Sequence, residues 1–434
     1  SGGFFAEHYT TLPDPTCGKT FCLHAMLSVT PDLVRGGDWT LLQMGMNSPI
    51  DPTKVAKPPL DIVVVLDHSG SMSGAGKMEF AKQGVSLLVD AMTSSDTFTL
   101  IEFDDTTHTI FGPGKITDKA ALKSQIAAIA PAGGTNLYAG LEAGYKAALA
   151  AGGEELQRRV MFLTDGQATS GFTDSATIAK MSAGYNEKYV GLTTIGLGSD
   201  ADGTLLRTLS EKGGGNYYFV ESPAAVTEVF TEELAFFVAP IAYDLDLTLE
   251  QAPGFAVKEV FGTNLWSGLP GGGKVHVPSV FLVSRTSTAP GPGGGRRGGG
   301  SAIIAQLAIG PDAPTTSPYD LATLKLRYRV PGATTYEEQT VPVTHEGAVG
   351  IAPDGGFYTN KTIEKNTLIL DFFVAFRDAT KLAQTDRTAA LKVLTDFRAK
   401  MGARIATWTD EDLVDDLKIV DQYVALLKTL TGAP

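Results

Sequence analysis

Apolar positions follow three different periods along the chain. Between residues 20 and 47, Phe21, Leu23, Ala25, Leu27 and Val29 fall on one face of an alternating run, and WTLLQMGM follows after an RGGD turn. Alternation at period two predicts strands. From Leu60 to about Ala239 the texture changes. Near-continuous apolar runs (DIVVVLD, TFTLIEF, RRVMFLTD, VGLTTIGLG, NYYFV) alternate with helix-like stretches such as MEFAKQGVSLLVDAM, DKAALKSQIAAIA and NLYAGLEAGYKAALAAG. Runs apolar on both faces predict a mostly parallel sheet covered by helices. In such a doubly wound α/β domain, ligands bind beyond the carboxyl ends of the strands.

After Pro240 period two returns. Tyr243, Leu245, Leu247 and Leu249 alternate with Asp244, Asp246, Thr248 and Glu250, and Leu324, Leu326, Tyr328 and Val330 with Lys325, Arg327 and Arg329. FLVSRTS and SAIIAQLAI flank a glycine-rich stretch, APGPGGGRRGGG, at 289–300. These read as antiparallel strands with one wet face, a β-sandwich. The strands that precede the α/β domain are too few to fold alone. They are expected to pair with the later strands, which makes the α/β domain an insertion in a discontinuous antiparallel sandwich.

The final segment shows helical stripes: Leu368, Phe372, Phe376 and Ala379; Leu391, Leu394, Phe397 and Met401; then Leu413, Leu417, Val420, Val424 and Leu427. The predicted division is 1–58 for the first sandwich strands, with DPTKVAKPP as linker, and 59–239 for the α/β domain. The remaining sandwich then occupies 240–350 and a helical region 351–434.

At 434 residues and 43% hydrophobic, the chain is long enough for several cores. A formal net charge of −13 argues against nucleic acid and anionic membrane surfaces as partners. No run approaches the ~18 apolar residues of a membrane-spanning helix, so no transmembrane segment is predicted. The chain opens SGGFF, without Met, which reads as a processed or trimmed start. Its two cysteines, Cys17 and Cys22, read either as a small disulfide in an oxidising, extracytoplasmic compartment or as two thiols.

Candidate chemistry concentrates in LDHSGSMSGAG, residues 66–76. A phosphate loop fails here because Gly70 and Gly76 are spaced wrongly and Met78 follows Lys77 where a hydroxyl is required. A nucleophile elbow fails because Met72, not a serine, centres GSMSG. A metal site remains. Asp67, Ser69 and Ser71 are hard oxygen donors suited to magnesium, calcium or manganese, and three oxygens are too few for such an ion. Thr135 in PAGGTNLYAG and Asp165 in RRVMFLTDG are expected at the same sheet edge.

With D-x-S-x-S at Asp67, Ser69 and Ser71, GGTNL around Thr135 and FLTDG around Asp165, the stretch 60–238 resembles a von Willebrand factor type A domain with its metal-ion-dependent adhesion site. More loosely, the layout resembles bacterial surface proteins that set such a domain within a β-sandwich. The resemblance implies a divalent cation, Mg2+ or else Ca2+ or Mn2+, held by Asp67, Ser69, Ser71, Thr135 and Asp165. It further implies a protein partner that presents Asp or Glu, or a second copy of the chain in a self-assembling surface structure. An enzyme is not expected: no histidine or glutamate falls in the metal loops except His68, whose position in the motif is variable.

Overall fold

The amino-terminal alternation forms a hairpin of β1 (Cys22–Pro31) and β2 (Asp38–Asn47). The computed structural model describes residues 12–50, 59–151, 157–166, 168–198, 201–215, 217–227, 229–230, 240–281, 302–406, 408 and 410–432. Residues 51–58 of the 51–59 linker and the glycine-rich stretch at 289–300 lie outside the described residues. Cys17 and Cys22 are joined in a disulfide that ties the approach segment to the first residue of β1. So short a loop restrains the unfolded chain little. Replacing both cysteines with serine is expected to cost only about 2 kcal/mol, read as a modest fall in urea midpoint.

The α/β domain runs β3 (Leu60–Asp67), α1 (Lys77–Ala91), β4 (Thr97–Phe103), β5 (Thr107–Gly114), α2 (Lys119–Ala128), α3 (Leu137–Ala150) and β6 (Gln157–Thr164). It continues through α4 (Ser175–Asn186), β7 (Gly191–Leu197), α5 (Gly203–Lys212), β8 (Tyr217–Val220) and the short α6 (Pro223–Thr227). The six strands lie in the order β5-β4-β3-β6-β7-β8. All pairings are parallel except that of β4 with β5. The apolar pattern does not announce β5, because this edge strand is largely exposed and has no buried face to record. The unbroken apolar run of β3 has the opposite cause. Val64 and Leu66 pack with Val85 and Leu88 of α1 on one side of the sheet, while Val63 and Val65 pack with Leu141 and Tyr145 of α3 on the other. Helix α3 lies so close that a Cβ on Gly144 would stand 2.5 Å from Val65 Cγ2, a separation only glycine permits.

Beyond it come β9 (Pro240–Gln251), β10 (Phe255–Phe261), β11 (Trp266–Leu269), β12 (Gly272–Phe281), β13 (Ile303–Ile309), β14 (Tyr319–Arg329), β15 (Tyr336–His345) and β16 (Phe357–Tyr358). Three helices close the chain: α7 (Lys361–Ala383), α8 (Arg387–Ile405) and α9 (Glu411–Thr431). One five-stranded sheet is β10-β13-β2-β1-β16 and the other β11-β12-β9-β14-β15. The early hairpin therefore pairs with strands from beyond the α/β domain, β2 with β13 and β1 with β16. The strand β16 sits within the segment read as purely helical; at two residues it is too short to show a period.

The two sheets enclose Leu27, Val29, Leu42 and Met44 together with Leu247, Leu249, Leu324 and Leu326. Only the second sheet has the expected wet face, visible in the alternating burial of β14. The first is covered on both faces. Trp39, Leu41 and Ile304 point away from the sandwich core into a third layer with Leu368, Phe372, Phe397, Met401 and Leu413 of the helices. Polar contacts join the α/β domain to the second sheet: Gln157 Nε2 donates to Tyr243 Oη at 3.0 Å, and Tyr189 Oη to Asp244 Oδ1 at 2.9 Å.

Candidate metal centre

The winding of the α/β sheet reverses between β3 and β6: the chain moves outward from β3 through β4 to β5, then returns to β6 on the other side. Crevices at such reversals, at the carboxyl ends of strands, are where α/β sheets bind ligands. Asp67 is the last residue of β3 and Asp165 directly follows β6, so the reversal alone brings two carboxylates together.

Both are buried, at 0% and 1% relative exposure. Asp67 Oδ1 accepts from the Ser69 amide at 2.8 Å, and its Oδ2 accepts from Thr164 Oγ1 at 2.5 Å. A 3-10 turn at Gly70–Ser73 then carries Ser71 back over the site. The Ser69 and Ser71 hydroxyls stand 3.1 Å apart, and Ser71 Oγ donates to Asp165 Oδ1 at 2.9 Å. Lys77 Nζ donates to the other oxygen of Asp165 at 2.7 Å. Four of the five sequence-predicted residues thus form one hydrogen-bonded network.

Thr135 arrives on a third loop. The Gly70 amide donates to the Gly133 carbonyl at 3.1 Å, and the Thr169 amide, from the loop after β6, to the Thr135 carbonyl at 2.9 Å. Thr135 Cγ2 would lie 3.8 Å from a Cβ built on Gly166, beside Asp165. Gly133 has φ +69°, and a Cβ there would meet Asp104 Oδ2 at 2.5 Å, so the turn that delivers Thr135 requires glycine. Asp104 and Asp105 brace this turn. Asp104 Oδ1 accepts from the Thr106 amide at 2.8 Å and Asp105 Oδ2 from the Gly134 amide at 2.8 Å. His68 is turned to the backbone, its Nδ1 donating to the Ala130 carbonyl at 3.1 Å.

Burial pushes the Asp67 carboxyl above its usual range, opposed by the hydrogen bonds from Ser69 and Thr164 and reinforced by the nearby Asp165 charge. Two carboxylates crowded at one buried point are a natural seat for a cation. Among the described residues no three His, Cys, Asp or Glu side chains converge. Any metal here would draw on hydroxyl oxygens beside the two carboxylates, a donor set of hard oxygens that suits a divalent ion. A shallow cleft of about 250 Å³ lies beside the serine loop, lined by Met72, Ser73, Lys82, Ile129 and Pro131.

Sequence reasoning missed Lys77 and Thr164. The signal for Lys77 was its place in the first turn of a helix, where the macrodipole disfavours a cation unless a partner compensates. For Thr164 it was a hydroxyl ending an otherwise apolar strand.

The family model of the von Willebrand factor type A domain matches residues 61–232. These residues are a type A domain. Such domains serve metal-dependent protein interaction or adhesion at a general level. The uncharacterized Escherichia coli protein YfbK is 24% identical over 292 residues, covering 63% of this chain and 48% of that protein. The uncharacterized Synechocystis protein sll0103 is 27% identical over 174 residues, 40% of each. The chain thus spans less than half the length of these relatives. A solved von Willebrand factor type A protein from Catenulispora acidiphila superposes with a TM-score of 0.56 at 14% identity, covering 94% of this chain and 89% of that one. The likeness extends past the type A domain to the sandwich and helices. Among the described residues no helix is long and apolar enough to cross a membrane.

Proposed function

We propose that the chain is a divalent-cation-dependent binding protein whose type A domain recognises an acidic residue of a protein partner. In this reading Asp67, Ser69, Ser71, Thr135 and Asp165 hold a magnesium, calcium or manganese ion, and a partner's Asp or Glu completes its shell. The observation that carries it is the network at the sheet reversal, where the Ser69 amide holds the Asp67 carboxylate and the Ser69 and Ser71 hydroxyls lead on to that of Asp165. An ion bound there would supply Lewis acidity toward a partner's carboxylate. Asp67 and Asp165 are fixed by Thr164 and Lys77 and so orient the serine loop, while Ser71 is exposed at the rim. The chain's charge of −13 offers no broad attraction to an acidic partner, so recognition is local and stereospecific.

The disulfide supports an extracytoplasmic location, at the cell surface, in the periplasm or secreted. We read the protein as a binder and not an enzyme: among the described residues no histidine or glutamate joins the network, and His68 is engaged with backbone.

The test is selection from a displayed peptide library in magnesium and again in EDTA. Selected peptides are expected to share an Asp or Glu and to be released by chelation. Thr135→Ala is expected to weaken them by roughly tenfold or more, since in this reading it removes a hydroxyl ligand of the ion. Peptides without a common acidic residue, or retained in EDTA, would contradict the reading.

A further inference from the structure

Lys77 is a costly residue where it stands. It opens α1 after two left-handed residues, Ala75 at φ 52° and Gly76 at φ 75°. A cation there faces the positive end of the helix. It is also buried, at 6% exposure, and an ammonium out of water must be compensated. The compensation is Asp165. The pair is 2.7 Å apart with side-chain exposures of 7% and 0%, and the second Asp165 oxygen is taken by Ser71. One carboxylate is therefore shared between the serine loop and an internal cation.

We infer that Lys77 is a built-in counter-charge that holds the loops together without metal, lowers their affinity for a divalent cation, and leaves the loaded site with surplus positive charge for a partner's carboxylate. The inference rests on the cation reading above. A divalent ion bound to both carboxylates would cancel their two negative charges, and the ammonium of Lys77 would leave one positive charge over. The lysine thus opposes the cation in the free protein and favours an incoming acid on the loaded one. Cation and acidic ligand then strengthen each other's binding, reciprocally.

The test titrates Mn2+ alone into the full chain by calorimetry. Lys77→Met keeps an apolar stem and removes the charge; Lys77→Arg keeps the charge. Lys77→Met is expected to bind Mn2+ about tenfold more tightly than the parent, with Lys77→Arg close to the parent. In EDTA, Lys77→Met is expected to melt below the parent and to recover with Mn2+, because Asp165 is then buried without its ammonium. If Lys77→Met does not fold, Lys77→Gln, which retains a donor for Asp165, serves the same comparison. Equal or weaker Mn2+ binding in the neutral variants, abolished in all of them by Asp67→Asn, overturns the role of Lys77 and leaves the site standing. Binding that survives Asp67→Asn overturns both.

Discussion

Asp67→Asn is expected to abolish divalent-cation binding while the fold survives. The carboxylate sits at the end of β3 with no exposure, and both its oxygens are fixed, one by the Ser69 amide and one by Thr164. Asparagine preserves the shape and one acceptor but removes the charge on which a buried cation depends. The loss should exceed the roughly 10–100-fold that removal of a supporting group costs a metal site. Stability without metal should hold or rise, since burial already disfavours the charged form of Asp67. Calorimetric titration with Mn2+ beside a melting curve checks both halves. A variant that loses cation binding only because it unfolds would not meet the expectation.

The second large effect lies at the opposite end of the same strand. Asp61 is fully buried, and neither carboxyl oxygen has a hydrogen-bond partner. Burial raises its pKa from 3.8 to about 7, against a smaller opposing attraction from Arg158. Between those values the folded protein keeps a proton that the unfolded chain has released. This contribution therefore favours the fold at low pH, declines as pH rises from about 4 to 7, and is fully lost above 7. Asp61→Asn should remove that slope. It should stabilise the protein at pH 8 by about 2–4 kcal/mol and change little at pH 4, with cation binding untouched. Urea midpoints of parent and variant at both pH values decide it; a variant no more stable at pH 8 would show that Asp61 is not buried as a lone carboxyl.

What the sequence made legible follows what its periods can encode. The α/β domain was readable because a parallel sheet covered on both faces writes itself as unbroken apolar runs, and β3 splits its residues between two cores. The discontinuous sandwich followed from counting strands on either side of it. Two features were not readable. The exposed edge strand β5 has no buried face, and the third layer over β1 and β2 is invisible because a strand buried on both faces gives no sign of what covers the second one. The site divided in the same way. Asp67, Ser69, Ser71, Thr135 and Asp165 are close in space because three loops meet at one sheet reversal, an order the motif spacing preserves. Lys77 joins them only through a helix start folded back over the loop, and its pairing with Asp165 is a property of three dimensions.

The most direct test of the central claim is an anomalous-difference map from crystals of the full chain soaked in manganese. The account predicts one peak among Asp67, Ser69, Ser71, Thr135 and Asp165, and its disappearance in Asp67→Asn. No peak at these side chains in well-soaked crystals, or an equal peak in the variant, would contradict it.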